Sequence, residues 1–100
     1  MDKIVGLWIE RSQYDLDTAK AMLETGRYLY VAYMCQQSVE KLLKAIIAQK
    51  GKENFPIHHL NRLAEISEIS NKLNPEQFNF LAELTPYHIG KDLLVECQDI

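Results

Sequence analysis

Residues 33–45 constrain the fold of this chain more than any other segment, because their pattern is that of a long helix with a broad apolar arc. Apolar or small side chains recur at helical spacing, at Val31, Ala32, Cys35, Val39, Leu42, Leu43 and Ile46. A narrow polar strip follows steps of three and four on another face, at Tyr33, Gln37, Lys41 and Lys44. The pattern predicts a central helix that turns its apolar arc inward, contacts more than one neighbour and leaves the polar strip accessible.

The length of 100 residues predicts a single domain over residues 1–100. A net charge of −3 gives no reason to expect DNA binding. The sequence contains no apolar run long enough for a membrane span and no signal-peptide pattern. Cys35 and Cys97 form neither a disulfide framework nor a metal motif. We therefore expect a cytoplasmic protein with no metal site and no cofactor.

The rest of the chain also has a helical pattern. A first helix is predicted from about residue 2 to 24 and a second from 27 or 28 to 49, and their short connection predicts an antiparallel hairpin. A third helix is predicted from about His59 to just before Asn74. Residues 74–77 then carry a helix-start signal, with proline in the first helical position and a glutamine that can complete a capping box. The predicted fold class is all-α, an up-and-down bundle of four to five helices.

The first helix carries one regular stripe, at Val5, Ile9, Ser12, Leu16, Ala19 and Leu23, which is expected to face the second helix. Asp15 lies at the margin of that stripe, beside Trp8. A partly buried carboxylate requires a partner, and Lys41, Lys44 or a tyrosine hydroxyl of the second helix are the candidates. A structural contact between the two helices is favoured, and catalysis by Asp15 would require a second group nearby.

These residues together resemble the HEPN family of small helical domains, over about residues 5–88. The most specific similarity is the string Gln-Gln-x-x-Glu-Lys-x-x-Lys-Ala at 36–45, supported by Gly-Arg-Tyr at 26–28 and by Trp8, Pro56 and His59. The resemblance implies an HEPN-like bundle of the nucleotidyltransferase substrate-binding-subunit type, commonly a homodimer. It also implies a cognate minimal nucleotidyltransferase as partner in a two-component, often toxin–antitoxin-like, system.

The chain departs from the family pattern in two places. Some members are metal-independent ribonucleases with an Arg-x(4–6)-His motif, and no arginine here precedes a histidine at that spacing. Relatives also continue past a segment like 84–87 with an Ala-Arg-Tyr-Pro stretch and a further helix. We expect instead an atypical C-terminal segment over about 89–100, with Thr85 as the start of a short last helix.

The polar strip and His59 are the candidate nucleotide- or RNA-binding residues. Tyrosine can stack on a base and lysine can neutralise phosphate, so the candidates are Tyr33, Gln37, Lys41, Lys44 and His59. The strip can equally be a solvated face or a dimer seam that carries an ion pair between Glu40 and Lys44. His59 can also serve structurally, as a cap of the third helix or a hydrogen-bond partner of the second. Asp15 and Glu40 are interpreted as structural polar residues.

The predicted function is that of a non-catalytic subunit that binds a nucleotide, RNA or a protein partner within such a two-component system. The expected partners are a second copy of the chain, a minimal nucleotidyltransferase and a nucleotide or RNA, without a membrane or DNA. A metal-independent ribonuclease toxin and a purely structural dimerisation module are the two alternatives.

Overall fold

The computed structural model describes residues 3–89, and within that range the regular structure is helical, without a β-strand. The four α-helices are α1 (Lys3–Glu24), α2 (Tyr28–Gln49), α3 (Leu60–Ile66) and α4 (Pro75–Leu84). Two 3-10 segments follow α3 and α4, at Ser70–Lys72 and Thr85–Ile89. The all-α prediction is confirmed, and the two long helices have the predicted bounds to within one residue. The atypical segment expected over 89–100 lies almost wholly outside the described residues.

An antiparallel hairpin of α1 and α2 provides the most extensive helix contact. Gly26 ends α1 in the left-handed conformation, with φ of +74°, which glycine adopts without a steric penalty. Halfway along, the Ser12 hydroxyl donates to the Ser38 carbonyl at 2.7 Å, and the Ser38 hydroxyl donates to the Ser12 carbonyl at 2.8 Å. These reciprocal bonds satisfy both hydroxyls and allow the two backbones to approach closely.

The close approach leaves larger side chains of α1 outside the contact. The helix buries Val5, Ser12, Asp15 and Ala19. The expected six-residue stripe is therefore only half right, because Ile9, Leu16 and Leu23 remain 40%, 37% and 56% exposed. The reason is that α1 packs chiefly against α2, and a seam of small residues covers only a narrow line of its surface.

The aliphatic core lies between α2, α3 and α4, and consists of Leu43, Ile47, Leu60, Leu63, Ala64, Leu81 and Leu84. The apolar arc predicted for α2 is only partly correct. Leu42 is 46% exposed, whereas α2 buries the polar residues Gln36, Ser38, Glu40 and Lys44. The cause is that α2 is covered by α1 on one side and by α3 and α4 on another, so side chains between the two contacts are enclosed regardless of polarity.

The third helix is shorter than predicted and ends at Ile66. Glu68 has a left-handed φ of +67°, which is unfavourable for a residue other than glycine. The Ile69 amide donates back to the Ala64 carbonyl at 3.1 Å across this turn, an arrangement that closes a helix C-terminus. Periodicity gave no sign of this turn, because the residue in the left-handed position is not glycine.

Two lysines that follow α2 hold that turn. The Glu68 carboxylate pairs with Lys50 at 3.1 Å and with Lys52 at 3.0 Å. The Lys52 ammonium also donates to the Ile66 carbonyl at 2.9 Å, which satisfies one of the last carbonyls of α3. The ends of α2 and α3 are therefore joined by charge.

The last α-helix begins with the capping box that the sequence predicts. The backbone N–H of Gln77 donates to the side-chain oxygen of Asn74 at 2.7 Å, and the backbone N–H of Asn74 donates to the side-chain oxygen of Gln77 at 3.0 Å. At the other end, the buried Thr85 hydroxyl donates to the Leu81 carbonyl at 2.8 Å and accepts from the Leu60 amide at 3.1 Å. Thr85 thus links the end of α4 to the start of α3.

Replacement of Thr85 by valine should destabilise the fold, because the Leu60 amide would be buried without an acceptor. A buried unsatisfied donor costs about 1–3 kcal/mol. Thr85→Ser retains the hydroxyl and should cost less. Urea unfolding followed by far-ultraviolet circular dichroism measures both, and equal midpoints for the two variants would show that the hydroxyl contributes nothing.

Candidate functional site

A buried polar network on α2 is centred on Glu40, which is 6% exposed. One carboxylate oxygen accepts from the Gln36 side chain and from His58 Nδ1, each at 3.0 Å. The other oxygen accepts from the Lys44 ammonium at 3.1 Å, which is the i, i+4 ion pair expected from the sequence. Gln36 is fully buried and Lys44 is 8% exposed. The carboxylate is therefore satisfied on both oxygens although it is almost removed from water.

The charge state of Glu40 follows from these partners. Burial raises the pKa of Glu40, but donors on three sides and the positive charge of Lys44 outweigh burial and leave the pKa below its ordinary value. Glu40 is thus a carboxylate at neutral pH. Its stabilising contribution is present above the pKa of an unfolded glutamate and is lost as the pH falls through the lower folded value.

Two stacked histidines extend the network towards the surface. The rings of His58 and His88 lie 5.0 Å apart between centroids, with 11° between their planes. His88 Nδ1 hydrogen-bonds the Thr85 carbonyl at 2.9 Å, and His58 Nδ1 faces Glu40. The His58 side chain is 48% exposed. The stack therefore joins the loop after α2 to the C-terminal 3-10 segment and keeps one imidazole in contact with solvent.

Lys41 and Lys44 of α2 both contact side chains of α1. The Lys44 ammonium lies 5.8 Å from the centroid of the Trp8 ring, within cation–π range. Lys41 forms an ion pair with Asp15, whose side chain is 10% exposed. Of the partners considered for Asp15, the structure places Lys41 against it, and the pair is a contact between the two hairpin helices.

The expectation that the whole polar strip is accessible is wrong for Lys44. Its ammonium is enclosed because Glu40 and Trp8 both attract it inward. Gln37 is half-buried and donates to the Gln36 side chain at 2.7 Å. Tyr33 is also half-buried. The strip is therefore not one binding surface, and the ligand-binding role of its members stays a prediction.

His59 lies apart from the network. It is exposed and occupies the N-cap position of α3, where its side chain makes no capping hydrogen bond. The hydrogen bond to Glu40 of α2 comes from the adjacent His58. Whether His59 contacts a ligand stays a prediction.

Sequence reasoning missed Gln36, His58 and His88 as members of one cluster. The sequence did contain a signal for Gln36, because Gln36, Glu40 and Lys44 follow each other at steps of four and so share a helix face. The stack of His58 on His88 joins residues 30 positions apart across a loop, and no local pattern reports such a contact.

An open cleft beside Lys41 brings cations and an aromatic ring together on the outside of the hairpin. Its volume is about 370 Å³, and it is lined by Leu7, Glu10, Arg11, Tyr14, Asp15 and Lys41. Tyr14 is 73% exposed. We call this the Lys41 cleft. An exposed ring can stack on a base and the two cations can neutralise phosphate, while Glu10 and Asp15 add two carboxylates to the same lining.

Other chemistry has less support within residues 3–89. In that range, no three histidine, cysteine or acidic side chains are close enough to hold a metal ion. Cys35 is half-buried and burial raises the pKa of its thiol, which disfavours the reactive thiolate. None of the described helices combines the length and apolar character required to cross a membrane.

These features define the class of protein: a small all-helical domain that is built on a long two-helix hairpin. The family profile of the HEPN domain matches residues 5–95, and the chain belongs to the HEPN family. It is also 41% identical over 49 residues to the protein named "Putative toxin MJ1304" of Methanocaldococcus jannaschii. That alignment covers 49% of this chain and only 32% of the relative. No solved structure matches the chain significantly.

Replacement of Glu40 by glutamine should destabilise the protein strongly at neutral pH, because Lys44 would keep a buried charge without its counter-ion. Loss of one member of a buried pair costs about 3–5 kcal/mol. The deficit relative to wild type should shrink as the pH drops below 4.5, the ordinary pKa of glutamate, since wild type then loses the same contribution. Urea unfolding at a series of pH values measures this.

Glu68→Gln is the matched control, because that carboxylate is an exposed partner of two lysines. It should alter stability far less than Glu40→Gln. The double variant Glu40→Leu, Lys44→Met removes both charges and should regain part of the loss. Equal stability of Glu40→Gln and wild type at neutral pH would contradict the central role of the network.

Proposed function

We propose that this chain is the HEPN component of a two-component, toxin–antitoxin-like system and that it acts by binding rather than by catalysis. Family membership and a relative named as a toxin support the first part. The lack of an Arg-x(4–6)-His motif supports the second. The proposed partners are a second copy of the chain, a cognate minimal nucleotidyltransferase in the cytoplasm and a nucleotide or RNA.

The observation that carries the proposal is an uncovered apolar face of the hairpin. Ile9 and Leu16 lie one turn before and after Ser12 on α1, and Leu42 lies one turn after Ser38 on α2, so all three flank the serine contact. Leu23 continues the α1 column. We call these four residues the hairpin face. Several exposed apolar side chains on one side of a helix pair are a candidate interaction surface.

A second copy of the chain suits the hairpin face. Ile9, Leu16 and Leu23 repeat every seven residues, the spacing that places one row of side chains along a helix–helix seam. A twofold contact would set the same column of each protomer against its partner. The apolar surface that α1 cannot cover within one chain would then be removed from water.

Leu16→Glu should convert the protein from a dimer to a monomer, because it places a charge in the proposed seam. Sedimentation at micromolar protein concentration measures the change. Phe55→Glu is the matched control, since Phe55 is 51% exposed in the loop between α2 and α3, and this variant should remain dimeric. A monomeric wild type at that concentration would remove the homodimer from the proposal.

The Lys41 cleft is the proposed ligand site. The Tyr14 ring would stack on a base, while Arg11 and Lys41 would contact phosphate. Among the ligand candidates predicted from sequence, Lys41 is the one that lines this cleft. The proposed site therefore moves from the polar strip of α2 to the outer side of the hairpin.

Removal of either cation should weaken binding of a fluorescent single-stranded RNA. A hydrogen bond to a charged group contributes about 1.5–3 kcal/mol, so Arg11→Ala and Lys41→Ala should each lower affinity about tenfold or more. Binding should also decrease as salt rises. Lys20→Ala is the control, since Lys20 is exposed on the same helix outside the cleft lining. Equal losses in all three variants would indicate nonspecific attraction, and no binding by wild type would favour a purely structural module.

A metal-independent ribonuclease is the second candidate, because the stacked pair of His58 and His88 presents imidazoles near a carboxylate. We expect no RNA cleavage by wild type in EDTA. Cleavage that disappears in His58→Ala and His88→Ala but persists in His59→Ala would replace the binding function with an enzymatic one.

A further inference from the structure

A third surface, separate from the hairpin face and the Lys41 cleft, is a groove between α2 and α4 of about 870 Å³. Its apolar lining comes from Val39 on α2 and from Leu73, Phe80 and Leu81 at or near α4. Its polar lining consists of Glu76, Gln77, Asn79 and Glu83. We call this the α4 groove. It is apolar along its floor and acidic at both ends of its α4 wall.

Two glutamates and one phenylalanine of α4 form a line along the helix. Glu76, Phe80 and Glu83 are spaced i, i+4 and i+7, so they lie on one face of the helix. Phe80 is 53% exposed, and both glutamates are exposed. Within residues 3–89, neither glutamate forms an ion pair. An uncovered aromatic ring thus lies between two carboxylates that have no counter-ion in the described part of the chain.

This charge pattern restricts the occupant. Nucleic acid and anionic membrane surfaces carry negative charge and would be repelled by the two carboxylates. The separation of seven residues from Glu76 to Glu83 spans roughly 10 Å along the axis at 1.5 Å per residue. Two turns of another helix cover the same length, and a groove between two helices is a common seat for an amphipathic helix.

We propose that the α4 groove binds a cationic amphipathic helix of a partner protein. An apolar side chain of that helix packs on Phe80, and lysines or arginines two turns apart pair with Glu76 and Glu83. This inference rests on the proposed partner-binding function and adds the chemistry of the partner. The residues of the hairpin face do not line the groove, and Leu42 lies one turn after Val39 on α2.

The test uses the full chain and a fluorescent helical peptide of about 18 residues, roughly 27 Å long as a helix. The peptide carries a leucine between two lysines seven positions apart, and a second peptide replaces the lysines by glutamates. Fluorescence anisotropy should show saturable, salt-sensitive binding of the cationic peptide only. Phe80→Ala should weaken that binding about tenfold or more, since it removes a large buried contact in the complex.

Charge reversal supplies the decisive comparison. Glu76→Lys with Glu83→Lys should abolish binding of the cationic peptide and create binding of the acidic one. Glu83→Lys alone should show the same trend, and a cation near the end of α4 is favourable for the helix dipole, so the fold is retained. Asp17→Lys with Glu24→Lys, an equal charge change at two exposed positions seven apart on α1 and outside the Lys41 cleft, should leave cationic-peptide binding nearly intact.

Several results would overturn the inference: no binding of the cationic peptide, equal binding of both peptides, or equal losses in the α4 and α1 charge variants. Self-association of wild type that Phe80→Ala abolishes would assign the groove to a second copy instead.

The Leu16→Glu variant distinguishes failure of the proposed dimer from failure of peptide binding in the groove. If it is monomeric and still binds the peptide, the groove acts independently of the dimer. If wild type dimerises and binds RNA but ignores the peptide, only the groove inference fails.

Discussion

The Glu40 carboxylate is the constraint on which the rest of the structure depends. A charge that is almost removed from water must be matched by donors, and its donors come from α2 itself and from the loop that follows it. The Lys44 ammonium also contacts the Trp8 ring on α1, and the His58 ring stacks on His88. A shift of the loop would break the His58 bond to Glu40, and a shift of α1 would remove the Trp8 ring from Lys44. The network therefore specifies how the hairpin, the loop and the C-terminal 3-10 segment are arranged, although an apolar core of the same volume could be equally stable.

The central helix meets its two neighbours with different chemistry, and this difference creates the outer surfaces. Towards α3 and α4 it uses aliphatic residues such as Leu43 and Ile47, which pack as an ordinary core. Towards α1 it uses Ser38, whose reciprocal bonds with Ser12 bring the backbones too close for large side chains between them. Leucines and isoleucines on either side of the serine contact are consequently excluded from the interior. The exposed hairpin face is thus a consequence of tight serine packing, and not a random excess of apolar surface.

The features of the fold that depend on local periodicity and capping could be predicted from the sequence. The bounds of α1 and α2, the hairpin and the start of α4 at Asn74 all follow from residues close together in the chain, and all are present. The errors concern the burial of side chains and the contacts between residues that are distant in the sequence. A helical wheel cannot show that α2 is covered on two sides, so Lys44 was expected at the surface. It cannot show that Glu68 closes α3 in a left-handed turn supported by lysines 16 and 18 positions away. The stack of His58 on His88 depends on the path of a loop, which composition does not report.

The proposed surfaces converge on consecutive positions of one helix. Val39 lines the α4 groove and Lys41 lines the cleft on α1, while Glu40 between them is fixed in the buried network. The two surfaces differ in charge, because the groove presents the carboxylates of Glu76 and Glu83, whereas the cleft combines two cations with two carboxylates. An anionic ligand and a cationic partner helix would therefore not compete for the same contacts. Since Lys41 is paired with Asp15, a phosphate that engages Lys41 must share or displace that carboxylate, and the hairpin contact would change with it. Ligand binding in the cleft would then act on the helix that also forms a wall of the groove, without any long chain of intermediate residues.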